Sequence, residues 1–274
     1  DDRNAAISAN EYTDFTAFDA IRATLDLSNL GGLNLPLTAD YVYIKLDENS
    51  VGDGNDVNLQ GINFSSRFDG WNSEAEAYYL NKRDKSTGAT TAGLDPNDNF
   101  GSVSTIGVRG SAQPSEGMNL FGELAYQFGR HTTDASGVLA AGESHQAWAS
   151  NLGGDYALGG VAMSPKIGAE WRFYSGQELN ASGTAGALPK GTGTNGWATI
   201  APGYFTTALR EFQTQSTVLG FYPNDQVGVT SAGTNQHELA LYGSLTAIED
   251  LIISPRLAWF FTDEGIITST GAKR

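Results

Sequence analysis

Cysteine is absent from the 274 residues. That excludes a disulfide framework and a thiolate metal site, and leaves the redox compartment open. Positive charge is scarce: 16 Lys and Arg stand against 31 Asp and Glu, giving a formal net charge of −15. Nucleic-acid binding needs a basic footprint, so that partner class is excluded. No apolar run approaches the roughly 18 residues of a membrane helix; the longest are short, such as LAWFF at 257–261. The opening DDRNAAISAN carries no signal-peptide pattern, so the chain reads as a mature form or as a piece of a longer one. The three histidines, His131, His145 and His237, fall near or in the predicted long connections without paired-ligand spacing. No G-x-S-x-G or phosphate-cradling motif occurs. Neither an enzyme nor a metal or cofactor site is therefore expected. Glu74 and Glu76 share one face of one strand and cannot flank a sugar bond as two opposed carboxylates must. The acidic stretch DENSVGDGND at 47–56 departs from EF-hand spacing and reads as a solvated loop.

Period-2 alternation is abundant, and helical spacing is rare. In 21–28, Ile21, Ala23, Leu25 and Leu27 oppose Arg22, Thr24 and Asp26. In 105–112, Ile106, Val108 and Ala112 oppose Thr105, Arg109 and Ser111. The same pattern recurs at 37–43, 62–68, 73–82, 118–128, 147–156, 166–174, 238–246 and 252–261, which predicts ten strands of about ten residues. Their connections alternate in length. Short ones fall at 29–34, 69–70, 113–117, 158–164 and 247–251; long ones fall at 47–56, 84–100, 130–144 and 175–236. The Asp69-Gly70 pair predicts a type I′ hairpin. Long loops confined to one end have no reason in a soluble sandwich, whereas a transmembrane barrel keeps short periplasmic turns and long extracellular loops. The expected fold is an all-β, antiparallel transmembrane β-barrel in the bacterial outer membrane, one domain over 1–274, with a long extracellular loop at 175–236.

This reading assigns the two faces. Ala75, Ala77 and Tyr79 should meet lipid, and Glu74, Glu76 and Tyr78 a watery lumen. Trp71 and Phe68 suit one interfacial aromatic girdle; Tyr41, Tyr43, Tyr126, Phe128, Phe173, Trp259 and Phe261 suit the other. The expected pore lining is Arg22, Asp26, Asp40, Arg67, Glu74, Glu76, Arg109, Glu123, Asp155, Lys166, Glu170, Arg172 and Arg256. Cross-strand pairing of these charges, for example Arg22 with Asp40, and Arg109 with Glu76 and Glu123, competes with a constriction role. No mid-strand charge falls on the lipid parity; Lys45 does so near an outer end, where its stem can snorkel. The first and tenth strands both place their free ends outside, so the wall is expected not to close through 17–28 and 252–261, as in an internal piece of a larger barrel.

The segments FDAIRATLDLS (18–28), FDGWNSEAEAYYL (68–80) and SPKIGAEWRFYSG (164–176) resemble the alginate-export family of outer-membrane porins. The resemblance covers most of 1–175 and more loosely 237–261. It implies a monomeric barrel of about eighteen strands and passive passage of anionic sugars through an arginine-rich lumen. Here the lumen set mixes both signs, without the positive excess that a polyanion path carries. The expected function is a channel for passive diffusion or export of small or oligomeric solutes, anionic sugar-like ones among them. The alternative is a structural or surface-binding barrel, an adhesin or a scaffold for an extracellular protein partner. Expected partners are outer-membrane lipid, lipopolysaccharide and a small-molecule or oligosaccharide solute. The connection 175–236 contains GWATIAPGYFTTALREF (196–212), apolar material that should leave bulk water. It is expected to fold inward or cap the mouth, with Arg210 and Glu211 near the solute path and Trp197, Tyr204 and Phe205 as anchors.

Overall fold

A computed structural model describes residues 19–28, 36–47, 57–84, 101–130, 144–176, 179–180, 196–197, 236–261, 263–264 and 266–267. Thirteen strands follow in order: β1 (Asp19–Asp26), β2 (Leu37–Asp47), β3 (Val57–Phe68), β4 (Ser73–Asp84), β5 (Gly101–Ala112), β6 (Met118–Arg130), β7 (Ser144–Ala157), β8 (Lys166–Tyr174), β9 (Leu179–Asn180), β10 (Gln236–Ile248), β11 (Leu251–Ile253), β12 (Arg256–Phe261) and β13 (Ile266–Ile267). Eleven of them form one sheet in which each strand from β1 to β8 pairs antiparallel with the next. β10 then pairs with β8 on one side and with β11 and β12 on the other. β1 makes no ladder with β11 or β12 among the described residues, so the sheet is open. β9 and β13 form a separate two-residue parallel pair. No helix among the described residues is long and apolar enough to cross a membrane.

The alternation read from the sequence becomes two chemically opposite faces, because residues opposed across a ladder share a face. One rung runs Tyr41, Ile62, Tyr79, Ile106, Tyr126, Trp148. The next runs Leu25, Ala39, Phe64, Ala77, Val108, Leu124, Ser150, Phe173, His237, Phe261. This face is apolar and open: Ile21 is 67% exposed, Val108 55% and Leu124 50%. Its aromatics touch in series. Tyr126 lies 4.4 Å from Trp148, and His237 lies 4.8 Å from Phe173 and 5.4 Å from Phe261.

Two local expectations are corrected, and one pairing is new. The β3–β4 connection is not a two-residue type I′ turn at Asp69-Gly70. Phe68 pairs with Ser73, and the loop holds four residues. Asp69 has ordinary right-handed angles, while Trp71 (φ 57) and Asn72 (φ 42) take the positive φ. The Gln113 N–H donates to the Trp71 carbonyl at 2.6 Å, and Asn72 Nδ2 donates to Gln113 Oε1 at 3.1 Å, tying this turn to the next one. The tenth strand is not continuous over 252–261; it divides at Ser254-Pro255 into β11 and β12. Pro255 has no N–H to give the ladder, but its carbonyl still accepts from Gly243 N at 3.0 Å. The parallel pair of β9 with β13 was not expected at all.

Candidate functional site

The opposite face carries the charge. Its central rung runs Asp26, Thr38, Ser65, Glu76, Arg109, Glu123, Asn151, Arg172, Glu238 across nine strands. The next rung toward the short turns runs Arg67, Glu74, Ser111, Phe121, Gly153, Glu170, Ala240. Beyond it come Asn119, Asp155, Gly168, Tyr242 and Arg256. From Glu76 to Glu238 along the central rung opposite charges alternate at single- or double-strand spacing, about 5–10 Å, so each cation meets an acid.

The structure pairs nearly every predicted lining residue. Arg22 lies 2.9 Å from Asp40, Arg109 2.8 Å from Glu76, Arg67 3.4 Å from Glu74, and Lys166 3.3 Å from Asp155. Glu170 bridges Arg172 at 2.6 Å and Arg256 at 2.8 Å, and Arg256 also reaches Glu238 at 3.0 Å. Asp26 stands apart, because its carboxylate accepts from the Ser28 N–H at 2.9 Å just past the end of β1. Glu123 accepts from the Tyr78 hydroxyl at 2.5 Å. Glu74, Glu76, Arg109, Ser111, Phe121 and Glu123 line a recess of about 270 Å³.

Two tyrosines reach across an intervening strand, and glycine permits it. Tyr78 on β4 pairs with Gly107 on β5 and bonds Glu123 on β6. Tyr242 on β10 pairs with Gly168 on β8 and reaches Asp155 on β7 at 3.3 Å. A side chain at Gly107 or Gly168 would overlap the tyrosine ring lying over it. Each ring covers the bare backbone and carries its hydroxyl two strands sideways. Gly107→Val should therefore expel Tyr78 and break its bond to Glu123. We expect a loss of about 1–3 kcal/mol, as for overpacking, read as a lower urea midpoint in detergent. Gly70→Ala is the control, since nothing lies within 4 Å of that added carbon, and an equal midpoint shift in both variants would contradict the role of Gly107.

Toward the long connections the charged face becomes buried. Gln127 and His145 have almost no exposed surface. His145 Nε2 lies 3.1 Å from Gln127 Oε1, and Gln127 Nε2 donates to Thr105 Oγ1 at 3.2 Å. Trp197 stands on this side: its ring lies 6.3 Å from Tyr174, which shares the rung of Ala125 and Ala149, and its N–H donates to the Ser175 carbonyl at 2.9 Å. The other predicted loop residues, Tyr204, Phe205, Arg210 and Glu211, lie outside the described residues.

Sequence reasoning missed Glu238 as an acid of the charged face, the long reach of Tyr242, and the buried His145–Gln127–Thr105 set. The parity of Glu238 within 238–246 was the available signal. Among the described residues no group of His, Asp and Glu has the arrangement of a metal site. No protein-family model matches this chain, and no curated protein matches it.

Proposed function

We propose that this sheet is wall of an outer-membrane β-barrel channel that lets small or oligomeric polar solutes, sugar-like and weakly anionic ones among them, pass by diffusion. The observation that carries this reading is the pairing of two opposite faces on one sheet: an apolar face left open across all its strands, and a charged face whose ions neutralise each other locally. In water the first would be a large exposed apolar patch, far beyond what a soluble monomer tolerates. Against lipid it is the expected outer surface of a barrel. The charged face then lines the aqueous path. Its alternation of Arg and Glu produces no field of one sign, which fits hydroxyl-rich solutes better than a highly charged polymer.

Purified protein added to a planar bilayer should give stepwise conductance, and neutral oligosaccharides should block it reversibly. Removing one acid from the central pairings, as in Glu76→Gln, should shift selectivity toward anions. A barrel that inserts but stays silent would favour the surface-binding reading instead. The burial of Gln127 and His145 on the charged face is the observation that makes this second outcome specific.

A further inference from the structure

The apolar face ends, on the side of the long connections, in a rung of a different kind. Across the ladders Asp19, Lys45, Asn58, Arg83, Ser102, Arg130 and Ser144 stand opposite one another. They share the parity of Tyr41, Tyr79 and Trp148, not that of Glu76 and Arg109. Every second strand from β2 to β6 thus carries a cation, about 10 Å from the next by strand spacing, and an amide or hydroxyl stands between them. Arg83 and Arg130 are exposed and Lys45 is half-buried.

The placement is selective. Among the described strand residues these are all the Lys and Arg of the apolar face; Arg22, Arg67, Lys82, Arg109, Lys166, Arg172 and Arg256 have the opposite parity. None stands on the apolar face at the short-turn end. In a chain of net charge −15, three cations on one rung at one end form a local reversal of sign. The rung beneath, about 7 Å lower along each strand, runs Ile21, Tyr43, Gln60, Asn81, Ser104, Phe128, Gln146, and from β2 onward is polar and aromatic. The Tyr43 hydroxyl donates to Asn58 at 2.9 Å, and Asn81 donates to Ser102 at 3.0 Å, so the spacer residues are fixed from below. From mid-sheet outward the face therefore passes from apolar to aromatic to amide and hydroxyl to cationic. That is the order in which a bilayer presents tails, interface and phosphates.

We propose that Lys45, Arg83 and Arg130, with Asn58, Ser102 and Ser144 between them, bind the phosphates of a lipid in the leaflet at the long-connection end. The occupant is a multiply phosphorylated glycolipid of the outer leaflet. Its two or more phosphates match a repeat of cations about 10 Å apart, and guanidinium groups bind phosphate through paired N–H donors. Asp19 faces Lys45 across the β1–β2 ladder. The inference rests on the membrane reading of the apolar face.

The test uses the full chain in detergent micelles, with diphosphoryl lipid A and its dephosphorylated form as probes, and bilayer flotation as a separate readout. Wild type should bind the diphosphorylated probe preferentially. Lys45→Gln/Arg83→Gln/Arg130→Gln should bind it roughly 100-fold more weakly, from about fivefold per cation, while still floating with bilayers. Should that variant fold poorly, Ser102→Glu, which sets an acid between Arg83 and Arg130, should weaken binding at least tenfold in a folded protein. Equal binding of both probes by wild type, or unchanged binding by the folded variants, would overturn the inference and leave the membrane reading intact. A wild-type chain that does not float would overturn both.

Discussion

Leu124→Arg is expected to destabilise the bilayer-inserted protein by about 2–4 kcal/mol, the cost of a cation near the membrane midplane on the lipid face of a barrel. Leu124 sits at the middle of β6 between Val108 and Ser150 on the apolar face, and half of its surface is open. The size of the effect separates the readings. If that face met water, replacing an exposed leucine by arginine would change stability by less than about 0.5 kcal/mol. Leu124→Ala should be milder than Leu124→Arg in lipid. Urea midpoints of protein folded into vesicles measure both. The size of the arginine penalty should fall for the same substitution at Phe128, nearer the strand end, because a long side chain there reaches the interface.

The second large effect lies on the charged face. Glu170 is buried between two arginines, with 6% of its side chain exposed, and Arg172 and Arg256 close on it at 2.6 and 2.8 Å. Removing one partner of a buried ion pair leaves the others uncompensated and costs about 3–5 kcal/mol. Glu170→Ala should stand at the lower end, about 3 kcal/mol, because Glu238 still holds Arg256. The exposed pair Arg67–Glu74, with side chains 82% and 36% open, provides the contrast. A double-mutant cycle there should give less than about 1 kcal/mol. A cycle on Glu170 and Arg256 should give clearly more. Comparable coupling in the two cycles would show that the Glu170 cluster is solvated as freely as the rim.

These expectations rest on features of unequal legibility. The faces were readable from single strands, because alternation is local: Ile106 and Val108 against Arg109 need no knowledge of the neighbours. The alternation of short and long connections was readable only from β3 onward; the connection 27–36 between β1 and β2 is no shorter than 48–56 between β2 and β3. Register was not readable. A strand's partners depend on turn geometry and on residues far along the chain, so nothing local showed that Tyr78 would pass over Gly107 to Glu123, or that Glu170 would gather Arg172 and Arg256. Arg22–Asp40 and Arg109–Glu76 were accessible only because neighbouring strands in sequence are neighbours in the sheet. The β3–β4 turn was misread because Asp-Gly is a strong two-residue signal, while the actual loop extends through Trp71 and Asn72. Pro255 was visible in the sequence, yet the apolar run around it outweighed the missing N–H.

The account depends most on which face meets lipid, and the absence of cysteine makes that directly measurable, since each introduced cysteine carries a unique spin label. Labels at Ile106 and Val108 on the apolar face and at Arg109 and Ser111 on the charged face should be read in vesicles with dissolved oxygen and with a water-soluble nickel chelate. The prediction is alternation along β5: oxygen-dominated relaxation at 106 and 108, and chelate-dominated relaxation at 109 and 111. Chelate access at 106 and 108 equal to that at 109 and 111 would contradict it.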